Sequence, residues 1–177
     1  MKGIVKGIIS ITVVVGGTIF TVSEADVVQK FAEETGLSPK EAQQFVENSK
    51  EDMVSFEKAG AEIISDGQSL LSIASGVDCV KFKYEWETNL LSCPKGKSQL
   101  ISFGNDQVEL GQAITTLASE SASRNDMSSV ISLIDRNNAD LKLEIVSHIL
   151  DPEAIDATRK KNSYNKALLQ AALESQP

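Results

Sequence analysis

An uncharged run near the N-terminus constrains this chain more than any other feature of its sequence. Residues 7–20 carry no charged side chain, and two lysines precede them. Ser23 and Ala25 then place small residues at the third-last and last positions of a segment cut after Ala25. A positive start, an apolar run of about 7–15 residues and a small-residue cut are typical of a secretory signal peptide. We therefore expect residues 1–25 to be removed on export.

The same run admits two other interpretations. A membrane-spanning helix needs about 20 apolar residues, and residues 4–22 come close to that length, so they could be kept as an N-terminal anchor. The run could also be a helix buried in the core. In each case residues 26–177 are of a suitable size for a single domain.

The charge balance argues against nucleic acid as a partner. The chain has 17 Lys and Arg against 25 Asp and Glu, for a formal net charge of −8. Affinity for nucleic acid comes largely from Lys and Arg that neutralise phosphates. We expect a protein partner or self-assembly instead, with membrane association only through the N-terminus.

Cys79 and Cys93 are the two cysteines of the chain. Exported proteins meet an oxidising space in which paired cysteines become disulfides. The spacing is not the Cys-x-x-Cys of a redox motif, and two cysteines with a single distant histidine do not complete a zinc site. We expect a structural disulfide, worth about 3 kcal/mol for a loop of this length.

Helix signals are clear after the N-terminal run. Apolar residues share one helical face over residues 25–35, and Gly36 provides a stop. Ser38, Pro39 and Glu41 then form a start signal in which serine and glutamate can make a capping box.

A long amphipathic stripe follows from Ala42 to Ala74, with Gly60 and Gly67 on its apolar side. The spacing predicts one long helix, or two helices broken near Gly60 or Gly67. Glycine on the apolar face also suits a neighbouring element that packs closely there.

The period changes to two between Asp78 and Glu87, where Phe82, Tyr84 and Trp86 alternate with charged residues. Strict alternation with aromatic residues predicts a half-buried strand. Lys97–Phe103 could be its partner, with a turn over 93–96, so we expect a disulfide-linked insert over 77–104. A short helix with Phe82, Trp86 and Leu90 on one face is the alternative.

The rest of the chain reads as helical. We expect helices capped by Asn105 or Asp106, by Asn125 or Asp126, and by Asp151, with a turn over 135–138 and a further helix over 139–150. The last helix should reach Glu174, with its polar middle, residues 158–165, partly exposed. The predicted fold is mainly α: a helical domain with a small disulfide-linked β-hairpin.

Three motifs that could carry chemistry are incomplete. Gly96-Lys97-Ser98 ends like a phosphate-binding loop, but its required earlier glycine is replaced by leucine. Asp135-x-Asn137 opens like a calcium-binding loop and then lacks the required glycine and glutamate. His148 has no nucleophile motif that would make it a general base. We predict no catalytic residue, metal site or cofactor.

Residues 31–38 with Ala42, Val46 and residues 58–60 are similar to the helix-turn-helix opening of bacterial histone-like DNA-binding proteins. That family continues into a basic β-arm that holds the DNA minor groove. Here residues 63–67 follow instead, and no basic arm exists. The resemblance covers 34 residues and carries over no DNA-binding residue.

The functional expectation is an exported, acidic, non-catalytic binding or structural protein of the periplasm or extracellular space. Aromatic side chains often dominate protein interfaces, so Phe82, Tyr84 and Trp86 are the candidate partner contacts. The alternative is a membrane-anchored envelope protein that keeps residues 4–22 as a single span.

Overall fold

A two-stranded β-hairpin and seven helices make up the part of the chain that the structure, a computed structural model, describes: residues 10–50, 54–79 and 92–175. In chain order the elements are β1 (Ser10–Val15), β2 (Thr18–Ser23), α1 (Glu24–Thr35), α2 (Pro39–Ser49), α3 (Phe56–Gly76), α4 (Ser92–Thr116), α5 (Arg124–Asp140), α6 (Glu144–Ile149) and α7 (Pro152–Glu174). The mainly helical class is confirmed, but the hairpin lies at the N-terminal end of the described residues.

Residues 10–23 form strands where the buried-core interpretation assumed a helix. β1 and β2 pair antiparallel, with Val15 opposite Thr18. Gly16 and Gly17 join them with φ angles of 58° and 72°, as a two-residue hairpin turn requires. One face of the hairpin is fully apolar and lies in the main core, through the side chains of Ile11, Val13, Val15, Phe20 and Val22.

The residues of the expected cut lie where the hairpin joins α1. Ser23 is the N-cap of α1, and Ala25 is exposed in its first turn. Cleavage after Ala25 stays a prediction, and it would remove both strands from the core. None of the described helices is both long enough and apolar enough to cross a membrane.

The first two helices begin and end as their sequence predicts. Gly36 has a φ of 72° and donates its N–H to Ala32 O, which closes α1 with a left-handed cap. Ser38 and Glu41 form the expected capping box at the start of α2, where Ser38 N donates to Glu41 Oε2 at 3.0 Å.

The long stripe is divided, but not at its glycines. α2 ends at Ser49 and α3 begins at Phe56, with Ser55 as its N-cap. Gly60 and Gly67 both lie inside α3 on its buried face, so the prediction of a break at either glycine is wrong.

α3 and α4 form the long helical pair at the centre of the fold, and the expected close neighbour of the glycines is α4. Gly60 meets Gly111, and Gly67 meets Gly104, because the two helices run antiparallel with glycines seven residues apart. The Cys79–Cys93 disulfide joins the end of this pair, with 5.6 Å between the two Cα atoms.

The predicted strand Lys97–Phe103 is wrong, since these residues lie in α4 together with the expected turn at 93–96. Asn105 and Asp106 are likewise inside α4 and cap nothing. These residues form a helix rather than a strand because one face of the segment packs on α3. That tertiary contact cannot be inferred from the local alternation of apolar and polar residues. The proposed partner strand, with Phe82, Tyr84 and Trp86, lies in residues 80–91, outside the described residues.

Some of the predicted boundaries of the C-terminal helices are confirmed and others are wrong. Ser123 rather than Asn125 is the N-cap of α5, and Asp126 is its capping-box partner. The expected turn at 135–138 lies inside α5, and the helix expected over 139–150 is the shorter α6. α7 has the predicted Asp151 cap and reaches Glu174.

The polar middle of α7 was expected to be partly exposed: residues 158–161 are exposed or half-buried, whereas residues 162–165 are buried. Lys166 bonds Glu34 of α1 at 2.8 Å and Asp135 of α5 at 2.5 Å. Asn162 bonds side chains of α5. These polar residues can enter the interior because partners on two other helices satisfy them.

Two apolar clusters lie along the α3–α4 pair. The larger packs the hairpin, α1, α2, α5 and α7 against the first half of α3 and the second half of α4. The smaller joins the other halves of α3 and α4 to the segment around α6, with Leu100 and Phe103 at its centre.

Candidate functional site

The concavity between α2, the start of α3 and α7 is the candidate functional site, and we call it the α2–α7 groove. It encloses about 200 Å³. Side chains from residues 45–49 and 54–63 supply one wall, and side chains from residues 161–165 supply the other. The side chains used below are Phe45, Lys58, Ala59, Glu62, Lys161 and Tyr164.

Aromatic packing fixes the floor of the groove. Phe31 of α1 stacks on Phe45 with 4.7 Å between ring centroids. Tyr164 meets both rings edge-on, at 6.3 Å from Phe31 and 6.1 Å from Phe45. Stacked and edge-to-face contacts stabilise aromatic pairs by more than the burial of their surface alone would. The floor is therefore a rigid apolar surface held by three helices.

Charged side chains stand at the mouth of the groove. Lys161 Nζ lies 2.8 Å from Glu62 Oε2, and both side chains are about half exposed. The hydrogen bond and the charge of Lys161 lower the pKa of Glu62, and Lys58 adds to this effect. With two lysines and one glutamate, the mouth is locally positive on an acidic chain. An exposed ion pair is worth about 0.2–1 kcal/mol, so a bound group can displace it at little cost.

The sequence does not reveal this groove, because its two walls come from distant segments. Tyr164 lies in the stretch of α7 that was expected to be partly exposed. The signal that could have found it is the helical spacing of Tyr164 and Leu168, which places an aromatic ring and a core leucine on one face.

A buried amide cluster lies at the junction of α4, α5 and α7. Asn137 Oδ1 accepts from Gln107 Nε2 at 2.5 Å and from Asn162 Nδ2 at 3.0 Å. Asn162 also donates to Asn138 Oδ1 at 3.1 Å. Within the described residues, Asn137 Nδ2 is buried and meets no acceptor. The cluster fixes the relative positions of three helices, because sliding one of them would break its buried hydrogen bonds.

The carboxyl group of Asp140, in the same helix as Asn137, has a raised pKa. Burial, followed by the hydrogen bond and the charge of Asp106, raises the pKa of Asp140 to about 6, against the opposing charge of Arg136. Arg136 Nη2 lies 2.9 Å from Asp106 Oδ1 and also bonds Glu109. Asp140 can therefore hold or release a proton in mildly acidic solution.

Replacing Asp140 by asparagine should stabilise the protein above pH 6. A carboxyl with a folded pKa near 6 and a reference value of 3.8 binds its proton more tightly when folded, so native stability falls as pH rises from about 4 to 6. Asparagine cannot ionise. Because Asp140 is partly exposed, solvent screening reduces the expected gain in unfolding free energy to about 1 kcal/mol. Urea unfolding at pH 4, 6 and 8 measures it.

The matched control is Asp156→Asn. Hydrogen bonds from Lys160 and Arg159 lower the pKa of Asp156, so this variant should lose stability relative to the native protein as pH rises through the acid range. An Asp140→Asn variant that follows the native pH profile would show that the pKa of Asp140 is not raised in the folded protein.

Of the site residues predicted from the sequence, none that the structure describes lines the groove, and Phe82, Tyr84 and Trp86 lie outside the described residues. Cys79 and Cys93 form their disulfide at the end of the α3–α4 pair. His148, in α6, lies 3.6 Å from Glu144 on the surface. Across residues 10–50, 54–79 and 92–175, no cluster of three or more His, Cys, Asp or Glu side chains could hold a metal ion.

Comparison with known proteins adds no relative: no protein-family model, curated protein or solved structure matches the chain.

Proposed function

We propose that this chain is a non-catalytic binding protein of an oxidising compartment, the periplasm or the extracellular space, and that it holds a protein partner in the α2–α7 groove. The observation that carries the proposal is the groove itself, which combines a rigid aromatic floor with a positive mouth. Its lining supplies shape and charge for recognition.

The size of the groove favours a protein partner. Small-molecule sites usually enclose about 300–1,000 Å³, and this groove encloses about 200 Å³. That space suits one anchoring apolar side chain. A carboxylate beside the anchor would reach Lys58 or Lys161 at the mouth. The groove then acts as the pocket for a single dominant contact of a larger interface.

The Cys79–Cys93 disulfide supports the compartment. Disulfides persist in secreted and periplasmic proteins and are rare where thiols are kept reduced. Phe82, Tyr84 and Trp86 stay a second predicted contact. The membrane-anchored alternative would require residues 10–22 to leave the core and form a spanning helix, and a cut after Ala25 would likewise take the hairpin out of the core. The buried hairpin therefore does not separate the two, and the proposal rests on the disulfide and the groove.

Filling the groove tests the proposal. Ala59 lines it, whereas Ala61 is exposed two residues later on the same helix. We expect Ala59→Trp to occupy the groove and abolish partner binding, and Ala61→Trp to bind as the native chain does. Affinity capture from the envelope and medium of the native host, quantified by mass spectrometry, compares the three proteins. Thermal unfolding establishes that each variant is folded.

A partner retained by the native chain and by Ala61→Trp, but lost from Ala59→Trp, would support the groove as the contact. Equal retention by all three would place binding elsewhere on the surface. If the native chain captures nothing above a mock column, the proposed binding function is refuted.

A further inference from the structure

The outer edge of β2 is an open strand edge. β1 and β2 form a sheet of two strands, so each strand has one edge that the other does not cover. The edge of β1 is paired: Val13 and Val54 form a parallel bridge, and Val54 N donates to Thr12 O at 3.3 Å. Within the described residues, no backbone bond reaches Ile19 or Thr21 from outside the hairpin.

The register shows which way the backbone groups of β2 point. In an antiparallel pair of strands, successive pairs of opposite residues alternate. In one pair the backbone N–H and C=O groups bond each other, and in the next they point away from the partner strand. Thr12 points away from β2, because its carbonyl bonds Val54. Thr21 is directly opposite Thr12, so its N–H and C=O point out from the other edge. Ile19 lies two residues along and points the same way.

This edge lacks the usual protection against pairing. Natural edge strands carry lysine, proline or a bulge, or are covered by another element. β2 has the sequence Thr-Ile-Phe-Thr-Val-Ser, without charge or proline, and it pairs with β1 without a bulge. Ile19 is 69% exposed, the most exposed of the large apolar side chains in the described residues.

We propose that β2 pairs antiparallel with β2 of a second copy of this chain, which makes a four-stranded sheet across a twofold axis. With Thr21 opposite Thr21 of the second copy, the outward-pointing backbone groups of residues 19, 21 and 23 face those of residues 23, 21 and 19. Phe20 then lies across from Val22 on the buried side, and Ile19 across from Ser23 on the exposed side.

Charge favours a second copy at this place in particular. The chain carries a net charge of −8, so most faces of two copies repel each other. β2 is a neutral strip. In this register Glu24, whose charge is paired with Lys50 at 2.8 Å, follows the strand at the level of Thr18 of the other copy, so it does not face its own equivalent. Pairing also extends the sheet from two strands to four, and a two-stranded hairpin alone is only marginally stable in water.

Charge placed on the edge tests the proposal. Ile19→Lys should weaken the dimer about tenfold or more, because each copy then carries a cation on the pairing strand. Ile73→Lys is the matched control, since Ile73 is also exposed, at 46%, but lies on α3. Sedimentation equilibrium of the full chain at rising concentration measures the dissociation constants, and circular dichroism verifies the fold of both variants.

Amide hydrogen exchange on the native chain gives a measurement that needs no variant. The amides of Ile19 and Thr21 should become protected as concentration rises, while those of Val13 and Phe20, bonded inside the hairpin, stay unchanged. A chain that remains monomeric at the highest concentration overturns the proposal. So does a dimer that Ile19→Lys leaves intact, because it must use another surface.

Discussion

Replacing Gly60 by alanine is expected to destabilise the protein by about 2–4 kcal/mol, since overpacking a close backbone contact costs about 1–3 kcal/mol and occasionally more. A Cβ atom at Gly60 would overlap Thr115 Oγ1 and would lie 2.5 Å from Gly111 O and 2.8 Å from Thr115 N. Two of these three atoms are backbone, so rotating a side chain cannot relieve the clash. Urea unfolding followed by circular dichroism measures the loss.

Gly76→Ala is the matched control. Gly76 is the last residue of α3, and a Cβ there meets nothing within 4 Å. Alanine is favoured over glycine in a helix by up to about 1 kcal/mol, so this variant should be as stable as the native chain or slightly more so. If Gly60→Ala were equally harmless, α3 and α4 could not approach as closely as the structure has them.

Local signals were sufficient where the stabilising contacts are themselves local. The capping box of Ser38 and Glu41 depends on residues three apart, and the left-handed cap at Gly36 depends on a single φ angle. Both were predicted correctly. The glycines of α3 were correctly linked to a close neighbour, because glycine on an apolar face lets the backbone of another helix approach.

Local signals are ambiguous where one composition suits two structures. The N-terminal run is apolar and uncharged, as a signal peptide requires, yet the same β-branched residues around Gly16 and Gly17 are the pattern of a tight hairpin. A short alternating segment such as Lys97–Phe103 is similarly ambiguous. In α4 the partner helix decides the outcome, and that helix is not visible in the local pattern.

The groove lay beyond sequence reasoning for a related reason. Polar residues in the middle of α7 suggested exposure, but Asn162 and Lys166 find partners on helices far away in sequence. Burial of a polar residue depends on those partners. The stretch that carries Tyr164 into the groove could therefore be recognised only after α1, α5 and α7 were brought together.

Deleting residues 1–25 is expected to abolish cooperative unfolding. The deletion removes five core side chains, each worth about 1.5–3 kcal/mol when fully buried: Ile11, Val13, Val15, Phe20 and Val22. Their sum is on the order of 10 kcal/mol, as large as the whole stability of an ordinary domain at about 5–15 kcal/mol. Deleting residues 2–9 is the control, since it leaves every described core residue in place. Urea unfolding of both proteins, under identical conditions, makes the comparison.

The mass of the native protein shows whether the chain that works in the cell contains the hairpin. A native chain that starts at Asp26 and unfolds cooperatively would show that the helices close the core without the hairpin, and the open edge of β2 would then be absent from the working protein. A native chain that retains residues 10–25, with thiols that appear only after reduction, would show that an oxidising compartment is reached with the hairpin intact. Since the hairpin fills the core beside α1, we expect the shorter chain to be unfolded when it is made directly.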